Sequence, residues 1–447
     1  MDPLKKFLQP KLPALQGFLD LYERYRQGPS MVDDWASFRG PDPGSLPQYD
    51  SLAVPAAAQL RKALKRLVVC KLNGGLGTSM GCSGPKSAVV VRGGHSFLDL
   101  IVEQLCSLNR EHSASVPLVL MNSFYTDAAT DTEKYSGRLT IETFQQNKFP
   151  RIDKNTETLL DEGTFGNAAW YPPGHGDFYS AVHQRGLLDQ WLDNGRDLLF
   201  ISNSDNLGAT VDPRILSHME KSGCPFLMEV TPKTVADVKG GTLYQEGDEL
   251  HLMEFAQVPP EHLDDFCYTE KFRTFNTNNL WINLSCLRER IRQGPMHLPI
   301  IVNPKRIEGV EVIQLETAMG AAIGSFPGSM GLVVPRSRHL PVKKTSDLFL
   351  VQSDLFILKN GCLSRNPGRR LPELPLINFS SPLTRVEDYQ SRIPFPPTLL
   401  DLVSLKLEGD VRFGKGVTLK GRVTLISRSK PLVIPENSVL ENTQTVQ

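Results

Sequence analysis

LVVCKLNGGLGTSMGCSGPKS, at residues 67–87, is the stretch that decides the fold. It begins with an apolar run at residues 67–70, which is typical of a buried strand, and continues into a loop that contains five glycines. Glycine has no Cβ, so the backbone amides of such a loop can approach a ligand closely. Amides clustered at the end of a strand, with Lys86 beside them, form a cradle for phosphate. The stretch therefore predicts a nucleotide-binding site.

Two well-known nucleotide-binding fingerprints come close to this loop without matching it. GPKS at residues 84–87 nearly completes a P-loop, but Pro85 separates the glycine from the lysine and removes a backbone N–H that a P-loop needs. The glycines of GLGTSMG at residues 75–81 are spaced one residue further apart than the dinucleotide-binding fingerprint requires. We interpret the loop as one that presents Lys86 toward phosphates, and a flexible turn with a surface lysine is the alternative.

The composition limits the class of protein. The 447 residues suit a large catalytic core with one accessory domain. Basic and acidic residues number 49 each, so the net charge is zero and neither a nucleic acid nor a membrane surface is indicated as a partner. No apolar run approaches the ~20 residues that span a bilayer, and the proline-interrupted N-terminus is not typical of a signal peptide. The seven cysteines form no CxxC pair, which predicts reduced thiols and a cytoplasmic protein.

Short apolar runs alternate with amphipathic segments after residue 67, which predicts an α/β fold with a mostly parallel sheet. Ligands of such sheets bind beyond the carboxyl ends of the strands. Both the glycine loop and SNSDN at residues 202–206 follow predicted strands, so we expect the chemistry there. The other predicted strands and helices lie at residues 118–121, 198–202 and 226–230 (strands) and at residues 97–108 and 187–192 (helices).

The two ends of the chain have patterns of their own. Short alternating apolar bursts recur about every six residues between positions 403 and 425, with glycines between them, which is typical of the stacked coils of a β-helix. A sandwich-like arrangement is the alternative. Leu15, Phe18, Leu19 and Tyr22 share one helical face near the N-terminus. We expect an N-terminal helical segment and connector (1–60), a catalytic domain (61–345), a linking segment (346–400) and a C-terminal β-helix domain (401–447).

Six further motifs join the glycine loop in carrying a resemblance to one family. They are YPPGHGD at 171–177, SNSDNLGATVD at 202–212, MEVTPKTVADVKGGTL at 228–243, FNTNNLW at 275–281, VIQLETAMGAAI at 312–323 and PRSRHLPVKKTSDL at 335–348. Together and in this order, they make residues 28–442 resemble the UTP–glucose-1-phosphate uridylyltransferase (UDP-glucose pyrophosphorylase) family, of the animal type. The resemblance implies an α/β nucleotidyltransferase (Rossmann-like) core with a mixed sheet, and a C-terminal left-handed β-helix.

The implied reaction is the reversible transfer of UMP from UTP to glucose 1-phosphate, which gives UDP-glucose and pyrophosphate. An oxygen of the sugar phosphate attacks the α-phosphorus of UTP directly, and pyrophosphate leaves on the opposite side. Because two polyanions must be brought together, positive charge, Mg²⁺ and oriented amides are expected to carry most of the catalysis. The attacking oxygen is already ionised, so no acid–base pair is required.

The resemblance assigns roles in phosphate and metal binding to particular side chains. Lys86 and Lys343 match two catalytic, phosphate-binding lysines, and Lys344 is the adjacent alternative to the second. Asp205 follows a predicted strand and matches the ligand of Mg²⁺, a hard cation that prefers oxygen ligands. The expected nucleotide-binding residues are Leu72, Asn73, Gly74, Gly75, Lys86, Gln146, Gly174, Asp205 and Lys343.

Amide and imidazole side chains are expected to recognise the base and the sugar phosphate. Gln146 matches the glutamine that contacts the base, with Gln145 as the neighbouring alternative. The run NTNN at residues 276–279 offers the donors and acceptors that sugar hydroxyls need, and it is also ordinary turn chemistry. Ser204 stands where the family commonly has an apolar residue. The expected substrate-binding residues are His175, Asn203, Ser204, Asp205, Asn276, Thr277 and Asn278.

Two alternatives to this activity are open from the sequence. A pyrophosphorylase with a broader sugar range shares the glycine loop, although FNTNNLW and GHGD favour glucose. An inactive paralogue, acting as a nucleotide-binding, structural or interaction protein, is the other. The expected partners are the small molecules UTP and glucose 1-phosphate, with no nucleic acid and no membrane. Self-association fits the family, but the short segment after Asn442 leaves the octamer of animal-type members in doubt, so we expect a monomer or dimer.

Overall fold

A computed structural model describes residues 12–28, 35, 38–42, 44–234, 237 and 240–447. The proline-interrupted N-terminus at residues 1–11 and part of the predicted connector lie outside the described residues. The same holds for residues 235–236 and 238–239 of the motif MEVTPKTVADVKGGTL.

Strands and helices alternate along the described part of the chain. The strands are β1 (Leu67–Leu72), β2 (Val90–Arg92), β3 (His95–Ser96), β4 (Leu118–Asn122), β5 (Ile141–Gln145), β6 (Phe149–Pro150), β7 (Ile152–Asp153), β8 (Trp170–Tyr171), β9 (Leu198–Asn203), β10 (Phe226–Pro232), β11 (Thr242–Glu246), β12 (Glu249–Met253), β13 (Thr274–Asn283), β14 (Ile300–Ile307), β15 (Val310–Thr317), β16 (Met330–Val333), β17 (Phe356–Lys359), β18 (Cys362–Arg365), β19 (Leu376–Phe379), β20 (Leu402–Glu408), β21 (Val411–Phe413), β22 (Thr418–Ile426), β23 (Leu432–Ile434), β24 (Val439–Glu441) and β25 (Gln444–Val446). The α-helices are α1 (Leu12–Arg26), α2 (Ala57–Lys65), α3 (Phe97–His112), α4 (Glu162–Phe165), α5 (Phe178–Gln184), α6 (Leu187–Asp193), α7 (Pro213–Ser222), α8 (Leu263–Cys267), α9 (Leu284–Arg292), α10 (Thr345–Gln352) and α11 (Val386–Arg392). Within the described residues, none of these helices has both the length and the apolar character needed to cross a membrane.

The central sheet has seven strands in the order β16-β10-β13-β9-β1-β4-β5. Parallel pairs join β1 to both β4 and β9, β4 to β5, and β10 to β16. Only β13 in this sheet runs antiparallel to its neighbours, β9 and β10. The sheet is therefore mixed and mostly parallel, which confirms the predicted α/β class. The four predicted strands are β1, β4, β9 and β10.

Both faces of this sheet are buried, which explains why its strands are continuous apolar runs. On β1, Leu67 and Val69 enter the core beneath α2, α3 and α7, whereas Val68 and Cys70 enter the core beneath α5, α6 and α9. Parallel strands that are covered on both faces have no solvent side and so show no polar alternation. β1 ends at Leu72, so the glycine loop that follows lies at the carboxyl edge of this buried sheet.

The N-terminal helix buries the face predicted from the sequence. Leu15, Phe18, Leu19 and Tyr22 of α1 are all buried. The ring of Phe18 meets that of Phe149 edge-on, with 5.8 Å between the ring centroids. The same cluster contains residues of β8 and β15, so α1 packs against elements that border the candidate site described below.

The C-terminal strands pair in parallel with strands further along the chain. β20 pairs with β22, β22 with both β24 and β25, and β21 with β23. β19 also joins β20 in parallel, so this stack begins at Leu376, within the region predicted as a linking segment. Its core continues into α10 and α11 through Phe349 and Tyr389.

A buried ion pair connects the sheet to the segment that leads into the site. Arg338 donates from Nε and Nη2 to the two carboxylate oxygens of Glu229 on β10, both over 2.6 Å. Trp281 and Asn279 of β13 donate to the same carboxylate over 2.8 and 3.1 Å. Four donors therefore satisfy a carboxylate that is fully buried. The network holds residues 335–342 against the sheet and so positions Lys343, which follows them.

We expect Arg338→Met to lower the free energy of unfolding by about 3–5 kcal/mol, because it leaves the charge of Glu229 buried without its partner. Urea denaturation at equilibrium measures the change. Arg422→Met, at an exposed position, is the matched control and should change stability by no more than about 0.5 kcal/mol. A loss of the same small size for Arg338→Met would contradict a structural role for the ion pair.

Candidate active site

A cavity of about 390 Å³ lies beyond the carboxyl ends of β1 and β9, where the sequence predicted the chemistry. Most of the predicted site residues line it, although they come from widely separated parts of the chain. The predicted residues in its wall are Leu72, Gly74, Gly75, Lys86, Gln146, Gly174, His175, Asn203, Ser204, Asp205 and Lys343.

The glycine loop forms the wall at the end of β1. A Cβ on Gly74 would lie 2.1 Å from Nε2 of Gln146, so only glycine lets this backbone and that side chain approach each other. A Cβ on Gly75 would meet no atom within 4 Å, which leaves its backbone open to a ligand. Asn73 is buried behind the loop and donates to Oδ1 of Asn122 over 2.8 Å. Asn73 therefore supports the loop but does not line the cavity.

Two lysines converge on one oxygen of Asp205. Lys86 Nζ and Lys343 Nζ lie 2.6 and 3.1 Å from Oδ2. The other oxygen, Oδ1, is buried and accepts no hydrogen bond from the described residues. Burial alone would raise the pKa of Asp205, but the charges of Lys343 and Lys86 outweigh it and hold the pKa below its ordinary value. The site thus presents an ionised carboxylate with one unsatisfied oxygen, between two cations.

His175 is held in one orientation and one protonation state. Its Nδ1 accepts a hydrogen bond from the backbone N–H of Met319 over 2.9 Å. Burial, helped by the charge of Lys343, lowers the pKa of His175 to about 4. The neutral ring therefore carries its proton on Nε2 and can donate it to an anion. Gly174 precedes it at φ +83°, and a Cβ there would lie 2.8 Å from the carbonyl oxygen of Thr317, so glycine is required.

The run NTNN is divided by a bulge between β10 and β13. Asn278 has φ +57° at this irregularity, and its Nδ2 donates to Oδ1 of Asn203 in the cavity wall over 2.9 Å. Thr277 instead donates to the carbonyl oxygen of Glu229, and Asn276 accepts from the backbone of Asn278. Asn276, Thr277 and Asn278 therefore bond within the protein and do not line the cavity, although Asn278 contacts a residue that does. Their contact with a sugar stays a prediction.

The structure distinguishes between the members of two residue pairs, Gln145 with Gln146 and Lys343 with Lys344, that the sequence left as alternatives. Gln146 lines the cavity, and its buried Oε1 accepts no hydrogen bond from the described residues. Gln145 lies outside the wall and donates to Asp127 over 2.7 Å. Both lysines are exposed, but Lys343 lines the cavity and Lys344 does not. The geometry thus favours Gln146 and Lys343 as the residues that meet a ligand.

Two polar residues of β15, Gln314 and Glu316, also line the cavity and were not predicted as site residues. Burial raises the pKa of Glu316, whose Oε1 accepts a hydrogen bond from Asn303 over 2.8 Å. A signal was present in VIQLETAMGAAI, because residues two apart on a strand share a face and a buried strand rarely carries two polar ones there. The apolar wall residues Met121 and Pro172 carried no such signal.

Comparison with known proteins relates the whole chain to one group of enzymes. The family model described as UTP--glucose-1-phosphate uridylyltransferase matches residues 15–420. The chain is 48% identical to the UTP--glucose-1-phosphate uridylyltransferase of Hordeum vulgare over 433 residues, which cover 95% of this chain and 92% of that protein. It is also 48% identical to the enzyme of Solanum tuberosum over 434 residues, covering 95% and 91% of the two chains.

Solved structures show the same likeness in three dimensions. A UDP-glucose pyrophosphorylase mutant from Leishmania major, crystallised in complex with UDP-glucose, has a TM-score of 0.89 and 31% identity, and the match covers 100% of both chains. The two relatives compared in sequence are plant enzymes. The narrower assignment to the animal type stays a prediction.

We expect the imidazole of His175 to stay neutral from about pH 8 to about pH 5, because burial holds its pKa near 4. The unfolded chain protonates this group near pH 6.5, so the folded state loses stability through it as the pH falls from 6.5 toward 4. ¹⁵N NMR of histidine-labelled protein, assigned with His175→Gln, measures the titration. A midpoint near 6.5, or a proton on Nδ1, would contradict the geometry.

Proposed function

The chain belongs to the UTP--glucose-1-phosphate uridylyltransferase family, and we infer that it transfers UMP from UTP to glucose 1-phosphate, giving UDP-glucose and pyrophosphate. One feature of the candidate active site supports this inferred activity. Lys86 and Lys343 meet at Asp205 in a cavity walled by the open backbone of a glycine loop. Such a site gathers the charges that two phosphate-bearing substrates require.

We propose that the two lysines are the catalytic groups of the chain. In the protein alone, both ammonium groups pair with the single carboxylate of Asp205. Phosphate oxygens that enter the cavity would compete with Asp205 for the same ammonium groups, so that Lys86 and Lys343 stabilise the charge that develops on the phosphates during transfer. The attacking oxygen of the sugar phosphate is already ionised, so the chain has no proton to remove from it.

Asp205 is the residue that would hold Mg²⁺. Its buried Oδ1, which accepts no hydrogen bond from the described residues, is the donor that a hard cation prefers. Among the described residues, no three His, Cys, Asp or Glu side chains form a metal-binding cluster. In proteins Mg²⁺ is commonly held by one or two carboxylates together with substrate phosphates, and Asp205 fits that pattern. When bound, the ion would neutralise phosphate charge beside the two lysines.

The remaining wall residues would orient the two substrates. We propose that Gln146, with its unsatisfied Oε1, contacts the uracil edge through the open side of the glycine loop. His175 would donate from Nε2 to the sugar phosphate without adding a charge. Asn203, fixed by Asn278, would contact the sugar beside it. Ser204 lies in the same wall, and its backbone N–H donates to the carbonyl oxygen of Leu72 over 3.2 Å.

Three further parts of the proposal concern the whole protein. We propose that the parallel C-terminal strands form a left-handed β-helix, supported by pairs such as β20 with β22 and β21 with β23. We propose a cytoplasmic location, supported by the free cysteine thiols of the described residues. The assembly state, expected to be a monomer or dimer, is open to measurement by light scattering.

We expect pyrophosphate release from UTP and Mg²⁺ with glucose 1-phosphate, and much slower release with galactose 1-phosphate or N-acetylglucosamine 1-phosphate. A coupled assay that detects pyrophosphate, run with and without Mg²⁺, measures all three substrates. Comparable rates with the three sugars would favour the pyrophosphorylase of broader range. Folded protein that binds UTP and is silent with every sugar would instead be an inactive paralogue.

We expect Lys343→Ala to lower kcat by about 10²–10³, the effect of removing one group that stabilises charge in the transition state. Lys344→Ala is the matched control, because this neighbouring lysine is exposed and lies outside the cavity wall. Steady-state kinetics of both variants, with circular dichroism to verify folding, make the comparison. Equal losses in the two variants, or an unchanged kcat in Lys343→Ala, would contradict the assigned role.

A further inference from the structure

A second cavity, of about 410 Å³, lies between helix α3, strand β1 and the hairpin of β17 and β18. It shares no lining residue with the candidate active site. Its walls are mainly apolar, with Val69, Ile101, Leu105 and Phe200 contributed by β1, α3 and β9. A cavity of this size, with an apolar wall beside polar and charged side chains, has the usual character of a site for a small molecule.

The notable polar group of this cavity is Lys71 of β1, which is only 2% exposed. Its Nζ donates to Oγ of Ser202 and to the carbonyl oxygen of Ala209, each over 2.7 Å. Both acceptors are neutral, and no carboxylate of the described residues forms an ion pair with this lysine. An ammonium group has three N–H donors, so one is left beyond these two hydrogen bonds; the ring of Phe200, whose centroid lies 5.4 Å from Nζ, offers it only a weak π acceptor. In its ammonium form, Lys71 is thus a buried cation to which the described residues give no counter-ion.

Burying a charge without an opposite charge is costly. Burial, and then the charge of Arg338, lower the pKa of Lys71 to about 7, while Cys70, Glu229 and Cys362 act in the opposite direction. An anion in the cavity would supply the missing counter-charge and favour the ammonium form. At the rim of the cavity, Lys359 and Glu111 carry opposite charges, so the rim favours neither an anionic nor a cationic ligand. The preference for an anion comes from Lys71.

We propose that this cavity binds a small amphipathic anion, in which an acidic group meets Lys71 and an apolar body packs against the wall formed by α3 and the segment that follows β9. A medium-chain carboxylate has this chemistry. Its carboxylate would accept the remaining N–H of the Lys71 ammonium, and its alkyl chain would pack against Leu108 and Val211, the apolar wall residues that are partly exposed. The site is separate from the transfer reaction, because its walls and its cation are distinct from those of the nucleotide cavity.

Isothermal titration of the full chain with octanoate tests this proposal, and octanamide serves as the uncharged probe of the same shape. We expect octanoate to bind with a stoichiometry of one, to bind also when the protein is saturated with UTP, and to bind more tightly than octanamide. Lys71→Met keeps the apolar stem and removes the charge, so octanoate should bind about ten- to a hundredfold more weakly. Lys62→Met, at an exposed lysine, is the matched control and should bind as the parent does.

A second variant keeps the test decisive if Lys71→Met does not fold. Ser107→Trp adds an indole at the α3 wall while leaving Lys71 in place, so it should abolish octanoate binding without changing the circular dichroism spectrum. Any of four results would overturn the proposal: no binding of octanoate to the parent protein, equal affinity for octanamide, loss of binding in saturating UTP, or unchanged binding in a folded Lys71→Met or Ser107→Trp variant.

Discussion

The site depends on the balance of charge around Asp205. Two ammonium groups, those of Lys86 and Lys343, lie within 3.1 Å of a single buried carboxylate oxygen. Without the carboxylate the two cations would repel each other in a partly buried site, and without the cations the buried carboxylate would tend to protonate. The two lysines therefore keep the carboxylate of Asp205 ionised before substrate arrives. A site that is already charged and oriented can stabilise phosphate without first reorganising.

Close backbone packing is the second constraint, and it explains why glycines recur at the cavity. Gly74 admits the side chain of Gln146, and Gly174 lets the histidine motif lie against Thr317 of β15. The buried pair of Glu229 and Arg338 fixes the opposite side, where the chain approaches Lys343. Steric fit on one side and a satisfied ion pair on the other thus bring together groups that lie far apart in sequence.

The limits of prediction from sequence follow from how each residue reaches the cavity. Asp205 and the glycine loop were predictable, because each directly follows an apolar strand and the ends of parallel strands meet at one edge. Glu316 was missed, because β15 belongs to a separate sheet and reaches the cavity through packing against Gly174 and Gly176. Asn276, Thr277 and Asn278 were predicted to contact the sugar, yet at the bulge in β13 their side chains form hydrogen bonds within the protein. The alternation of residues along a strand does not reveal a bulge, so this one could not be predicted from the sequence.

The sequence by itself determined the class of fold, the position of the main strands and the chemistry of the glycine loop, because local apolar patterns and residue types specify these features. The sequence also identified the family, through motifs spread over nearly the whole chain. Only the tertiary structure decided that Lys86 and Lys343 share one oxygen of Asp205, that Gln146 and not Gln145 meets the cavity, and that Lys71 is buried with no counter-ion among the described residues. These are relations between distant segments, and burial and distance arise only when the segments pack together.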